Sequence, residues 1–214
     1  MTRFIFVRHG QSEFNITNQF AGQSDPPLSQ LGLLQVERMA AWVVGEYDVD
    51  AIYSSDLTRA MQTAQAVADK LSITVIPNER FREIFAGEWQ EKTYTAIAER
   101  YPKAYDLWRN DTINARPDGG ESVRELAGRV TDEVKRLAKC HDGQTVLVAT
   151  HATPVRVLTT HFQTGDVETL RDTSWGSNAS VTVVLTDGDT ATVERVAYDE
   201  FLADQKSTIP SDII

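Results

Sequence analysis

Two histidines in this chain stand where an apolar run breaks off. His9 follows Phe4-Ile5-Phe6-Val7 and lies between Arg8 and Gly10. His151 follows Thr145-Val146-Leu147-Val148-Ala149 and Thr150. Short runs rich in β-branched and aromatic residues read as buried strands, so each histidine sits at a strand's carboxyl end. In open α/β sheets that end is where ligands bind. An imidazole can serve as nucleophile or proton carrier, and a guanidinium offers a planar fork to an oxyanion. Glycine lets backbone approach a ligand closely. A third strand end, at Ser54-Ser55-Asp56-Leu57-Thr58-Arg59, leads into a helix with Arg59 in its first turn. Parallel strands would bring Arg8, His9, Arg59 and His151 onto one rim, with backbone N–H groups near Gly10 and Ala152. That is an anion pocket sized for a phosphoryl group.

The elements that must build this rim follow from periodicity and punctuation. Strands are expected at 4–7, 51–54, 73–76 and 145–149, with helices between them. Ser29 is placed to cap a helix running to about residue 45, and Asp56 to cap one running to Leu71. Residues 10–27 read as a polar loop punctuated by Gly22, Pro26 and Pro27. Two short helices, near 93–101 and 103–110, are separated by Pro102. Ser122 and Glu125 form a capping-box pattern for a helix ending near Cys140 at Asp142-Gly143. Thr153 as N-cap with Pro154 at the first helical position predicts an immediate helix. Strands near 180–186 and 191–197 flank Asp187-Gly188, a hairpin signal. Alternating strands and helices give one three-layer α/β/α domain over 1–204, its sheet mostly parallel with an antiparallel edge near the C-terminus. Residues 205–214 read as a polar, loosely ordered tail.

The blocks occur in a familiar order. Arg8-His9-Gly10, with Ser12 and Asn15, resembles the Arg-His-Gly-x-Thr/Ser-x-x-Asn signature of the histidine phosphatase superfamily, the phosphoglycerate-mutase-like family. The similarity continues at Asp25-Pro26-Pro27-Leu28-Ser29 with Gly32, and at Ser54-Ser55-Asp56-Leu57 with Arg59, Ala60, Thr63 and Ala64. It continues through Arg82-Glu83-Ile84, Gly87-Glu88-Trp89, Gly119-Gly120-Glu121-Ser122 and Thr150-His151. The resemblance spans roughly residues 3 to 185. Gln11 stands where many relatives carry Glu, and Glu91-Lys92 where relatives often have glycine.

That resemblance implies roles. His9 would be the nucleophile that forms phosphohistidine. Arg8, Arg59 and His151 would hold the phosphoryl oxygens, and Asn15 would add a neutral donor. Glu83 would protonate the leaving alcohol and then activate water. Phosphoryl transfer spreads charge over three oxygens, so positioning and electrostatics suffice without a metal. On this reading two arginines and a protonated His151 offset the dianion, while His9 stays neutral through a backbone carbonyl at its other nitrogen. Competing readings stand beside these. Ser12 and Asn15 also suit a turn. Arg59 could pair with Asp56 on a helix face, and Glu83 could be a surface acid. Gly119-Gly120 could be only a helix entry, whereas the family reading makes Glu121 and Ser122 a border of the substrate pocket. His141 and His161 fall near helix C-termini and read as structural. Trp42 reads as core; Trp89, Trp108 and Trp175 could line a cleft or brace loops.

Bulk properties bound the partners. The chain has 214 residues, 41% hydrophobic and 24% charged, with a formal net charge of −10. Nucleic acid and acidic membranes are disfavoured as partners, and any anion site must be built locally. The single cysteine, Cys140, excludes an internal disulfide framework and fits a reducing cytoplasm. The N-terminal apolar run is too short for a signal peptide or membrane span. No cofactor is implied. No His-x-x-x-His, His-x-His or paired-Asp motif suggests a metal. The expected activity is hydrolysis of a small phosphorylated metabolite, because the Glu83–His151 stretch lacks the extension with which mutases cover the site. A mutase is the alternative, and a non-catalytic phosphate-binding module is a weaker one. A homodimer is admitted but not required.

Overall fold

The computed structural model describes residues 1–207, and the end of the expected tail, 208–214, lies outside them. Six strands form one sheet: β1 (Thr2–Arg8), β2 (Ala51–Ser54), β3 (Val75–Pro77), β4 (Thr145–Thr150), β5 (Val181–Thr186) and β6 (Ala191–Tyr198). Their order is β3-β2-β4-β1-β5-β6, with β1 to β4 parallel and β5 and β6 antiparallel. The helices are α1 (Glu13–Ile16), α2 (Gln30–Glu46), α3 (Thr58–Leu71), α4 (Tyr94–Arg100), α5 (Pro102–Asn110), α6 (Val123–Cys140) and α7 (Ala152–Thr164). The result is the expected three-layer α/β/α arrangement.

Residues of β1 alternate between two cores because successive side chains point to opposite faces. Ile5 and Val7 join α2 and α3 through Val36, Met39 and Val67. Phe4 and Phe6 join α6 and α7 through Val130, Val134 and Leu158. Covered on both faces, β1 and β4 are continuously apolar in their centres, as buried parallel strands are.

Caps explain where several helices start. Ser29 Oγ accepts from Gly32 N–H at 3.0 Å, and Ser122 with Glu125 forms the expected reciprocal box. Four expectations need correction. The 10–27 loop contains α1, because Ser12 and Asn15 form a second capping box. Asp56 does not cap α3; it pairs with Arg82, and Asp25 reaches across to accept from Thr58 N–H at 2.6 Å. Helix α7 starts at Ala152 with His151 as its N-cap, so Pro154 is its third residue. Proline is tolerated there because first-turn N–H groups need no intrahelical acceptor. Strand β3 is shifted towards Pro77, since Ile73 N–H still bonds to Ala68 O at the end of α3.

The loop after β1 passes so close to α2 that a side chain is excluded at their crossing. A Cβ on Gly32 would lie 2.0 Å from Gln11 O, and one on Gly10 2.7 Å from Gly32 O. On the same helix, a Cβ on Gly45 would meet nothing within 4 Å. Gly32→Ala should therefore cost about 3 kcal/mol in urea denaturation through forced displacement. Gly45→Ala should gain about 0.5–1 kcal/mol from helix propensity. Equal stability of the two variants would contradict this contact.

Candidate active site

The parallel register aligns the ends of three strands. Arg8 pairs with Thr150 and Ser54 with Ala149. The ladder runs one step further: His9 N–H donates to Thr150 O and Ser55 N–H to Ala149 O, both at 2.9 Å. His9 and His151 thus emerge side by side, with ring centroids 5.1 Å apart. Both are buried.

His9 is held in one tautomer. Its Nδ1 lies 2.7 Å from Gly10 O, which only an Nδ1–H can satisfy. The remaining nitrogen, Nε2, accepts from Arg59 Nε at 3.3 Å. Burial, then Arg59 and Arg8, push the His9 pKa well below its ordinary value, so the ring is neutral with a lone pair on Nε2. His151 Nε2 lies 2.8 Å from Ser55 Oγ, and its Nδ1 is buried without a partner. Burial, followed by Arg59 and His9, also pushes His151 well down. In the phosphate-free protein the His151 ring is therefore neutral, and the permanent charge there comes from the arginines.

Arg59 occupies the second position of α3. Its Nη1 and Nη2 donate to Ser24 O and Gly22 O, each at 2.8 Å. It does not pair with Asp56. Arg8 donates from Nη1 to Gly176 O, while its Nε is buried with no partner. Burial lowers each guanidinium to about 10, with Glu83 opposing the shift, so both stay charged at neutral pH.

Glu83 follows a short 3₁₀ turn, Glu79–Phe81. Its carboxylate accepts from Ile84 N–H at 2.8 Å and from Thr153 N–H in the first turn of α7 at 3.3 Å. Its carbonyl accepts from Gln23 Nε2 and Arg129 Nη2. Arg8, His9, Ser12, Asn15, Arg59, Glu83 and Ala152 all line one cavity. Asn15 Oδ1 accepts from Ser12 N–H at 2.9 Å in the capping box of α1, and the residue also lines the cavity.

Four candidates do not line it: His151, wholly buried beside the His9 ring, and Gly10, Glu121 and Ser122. Gly10 N–H is taken by Thr63 Oγ1 at 3.2 Å, so Gly10 acts through its carbonyl on His9. Glu121 forms a two-point ion pair with Arg129 and does not line the cavity; it steadies Glu83 through that arginine. Ser122 is the N-cap of α6. Phe14, Phe20, Tyr94, Trp108, Trp175 and Asn178, unassigned from the sequence, also line the cavity. They come from distant segments, and their types alone read as core or turn. Trp89 is wholly buried. Among the described residues, no group of three or more His, Cys, Asp or Glu side chains is placed to hold a metal ion, and no helix is long and apolar enough to cross a membrane.

A neutral imidazole, two buried arginines and an acid on one pocket wall, set at the carboxyl end of a mixed α/β sheet, define a class. The chain belongs to the histidine phosphatase superfamily (branch 1), whose sequence model matches residues 4–199. It is 34% identical over 157 residues to a bifunctional protein of Mycobacterium tuberculosis, covering 73% of this chain but 43% of that one. It thus spans less than half of that relative. It is 34% identical over 158 residues to phosphoserine phosphatase 1 of Hydrogenobacter thermophilus, covering 74% of each chain. The structure of mycobacterial glucosyl-3-phosphoglycerate phosphatase with VO3 superposes with a TM-score of 0.82 at 28% identity, covering 91% of this chain and 98% of that one.

Both imidazoles titrate below the ordinary value near 6.5, so on acidification the unfolded chain binds protons first. Their contribution to stability is intact above about pH 6.5 and is lost as pH falls below it. Urea denaturation of the phosphate-free protein should lose about 2 kcal/mol between pH 7 and pH 5.5 from these two groups. His151→Gln should remove about half of that pH dependence. An unchanged profile in this variant would mean that His151 is not held neutral.

Proposed function

We propose that this chain is a phosphomonoester phosphatase that hydrolyses a small phosphorylated metabolite through phosphohistidine on His9. The observation that carries the reading is the presentation of a neutral His9 Nε2 to a pocket whose two arginines have no carboxylate in ion-pair contact. A phosphoryl group entering that pocket meets two permanent cations and the His9 Nε2 lone pair, once Arg59 Nε–H turns from it to the phosphoryl oxygens. The named relatives, one a phosphoserine phosphatase and one a glucosyl-3-phosphoglycerate phosphatase, support hydrolysis as the outcome.

In the first step His9 Nε2 bonds to phosphorus, the phosphorus–oxygen bond to the alcohol breaks, and Glu83 gives its proton to the departing oxygen. In the second, the Glu83 carboxylate takes a proton from water, the water oxygen bonds to phosphorus, and the nitrogen–phosphorus bond breaks. The products are the alcohol and inorganic phosphate, with His9 neutral again. The dianion would favour a protonated His151, whose Nδ1 has no partner in the phosphate-free protein.

His9→Ala should lower turnover at least about 10³-fold while leaving the circular dichroism unchanged. Glu83→Gln should cost about 10²–10⁴-fold in steady-state turnover of alkyl phosphates; on 4-nitrophenyl phosphate, whose leaving group needs no acid, the first release of nitrophenol should stay fast and only the hydrolysis of the phosphohistidine should slow. Excess chelator should change neither. With 3-phosphoglycerate and a trace of the 2,3-bisphosphate, inorganic phosphate should appear faster than 2-phosphoglycerate. Full activity in His9→Ala, or faster isomerisation than hydrolysis, would overturn the reading.

A further inference from the structure

Arginines in this acidic chain are mostly neutralised by acids. Six form no ion pair among the described residues: Arg8, Arg59, Arg100, Arg109, Arg156 and Arg171. Arg8 and Arg59 line the catalytic cavity, and Arg100 lies over the Tyr101 ring. The other three line one cleft with Trp108, Trp175 and Asp172. Trp108 and Trp175 also wall the catalytic cavity, so the two spaces adjoin across the tryptophans.

Arg156 is the centre of this cleft. It is only 6% exposed. One face of its guanidinium lies 4.4 Å from the Trp175 ring centroid. Nε donates to Thr173 O at 2.7 Å and Nη2 to Arg171 O at 3.3 Å, while Nη1 has no hydrogen-bond partner among the described residues. Burial alone lowers its pKa to about 10, so it remains charged. A buried guanidinium held in place by stacking and carbonyls, with a donor edge left over and no carboxylate, is placed to receive an anion. Arg109 at the end of α5 and Arg171 add two exposed cations against the single acid Asp172. The catalytic cavity supplies no cation beyond Arg8 and Arg59, both at its phosphoryl end.

We propose that the Arg109–Arg156–Arg171 cleft is a distal anion subsite, and that the substrate is a phosphomonoester carrying a second anionic group, carboxylate or phosphate, joined to the phosphoryl end by an uncharged spacer that passes Trp108 and Trp175. This deepens the phosphatase reading and rests on it. The three arginines are discrimination devices: an ester that leaves them unmatched forfeits charge-assisted bonds, whereas a matching one gains them.

The test is a kinetic series. Monophosphates of ω-hydroxycarboxylic acids, the bisphosphates of matching diols, and the neutral diol monophosphates are compared at spacers of two to eight carbons. At one spacer length, kcat/KM for a doubly anionic ester should exceed that for the neutral ester at least ten-fold, mostly through KM. The arm that wins identifies carboxylate or phosphate as the group read. In the double variant Arg109→Gln/Arg171→Gln, at exposed positions, that ratio should fall at least five-fold; Arg156→Gln, checked for an unchanged melting temperature, should do the same. Turnover of neutral esters with no preference at any length would overturn the subsite alone, as would a preference that survives the double variant. No turnover of any ester would instead overturn the phosphatase reading, and the subsite with it.

Discussion

The parallel ladder between β1 and β4 fixes everything else in the site. It pairs Arg8 with Thr150 and continues through the bond from His9 N–H to Thr150 O. Two histidines separated by 142 positions in the numbering therefore reach the same rim. A register slip of one residue would turn every β1 side chain to the opposite face, placing Phe4 and Phe6 against α2 and α3. The continuous burial of β1 and the two distinct cores forbid such a slip. Hydrophobic packing thus sets the placement of the imidazoles, and the strand ends need carry no stabilising role of their own.

Electrostatics at the rim run against stability. Arg8 and Arg59 are buried and paired only with backbone carbonyls and the His9 ring, while both histidines are stripped of water. Unmatched buried cations are costly, and a bound dianion relieves that cost. The chain's net charge of −10 makes the contrast sharper, since no long-range field draws an anion in. The carbonyls of Gly22, Ser24 and Gly176 hold the guanidiniums in place without neutralising them. A carboxylate in any of those positions would satisfy the arginines and close the site to phosphate.

What was legible in the sequence follows the range of the interactions. Strand ends at His9 and His151, the Ser29 cap and the Ser122–Glu125 box all depend on residues within a few positions, and these could be read directly. Long-range partners could not. Asp56 has the right type and place to cap α3, yet Arg82 takes it and Asp25 caps from 33 residues away. Glu121 was legible as part of a site block, but its partner Arg129 turns it away from the cavity. Glu91 occupies a left-handed backbone position, φ +66, where a glycine would be relaxed; this accounts for the glycine expected there from the resemblance. The Arg109, Arg156 and Arg171 cluster is assembled from α5, α7 and a following turn, with no spacing to betray it.

The most direct measurement of the central claim is chemical trapping at His9. Glu83→Gln protein would be mixed with 4-nitrophenyl phosphate, quenched in alkali within milliseconds and examined by peptide mass spectrometry. The account predicts a burst of nitrophenol approaching one equivalent and a phosphoryl group, stable to base and lost in acid, on the peptide containing His9. Steady release of inorganic phosphate with no label on that peptide, or a label on another residue, would contradict it.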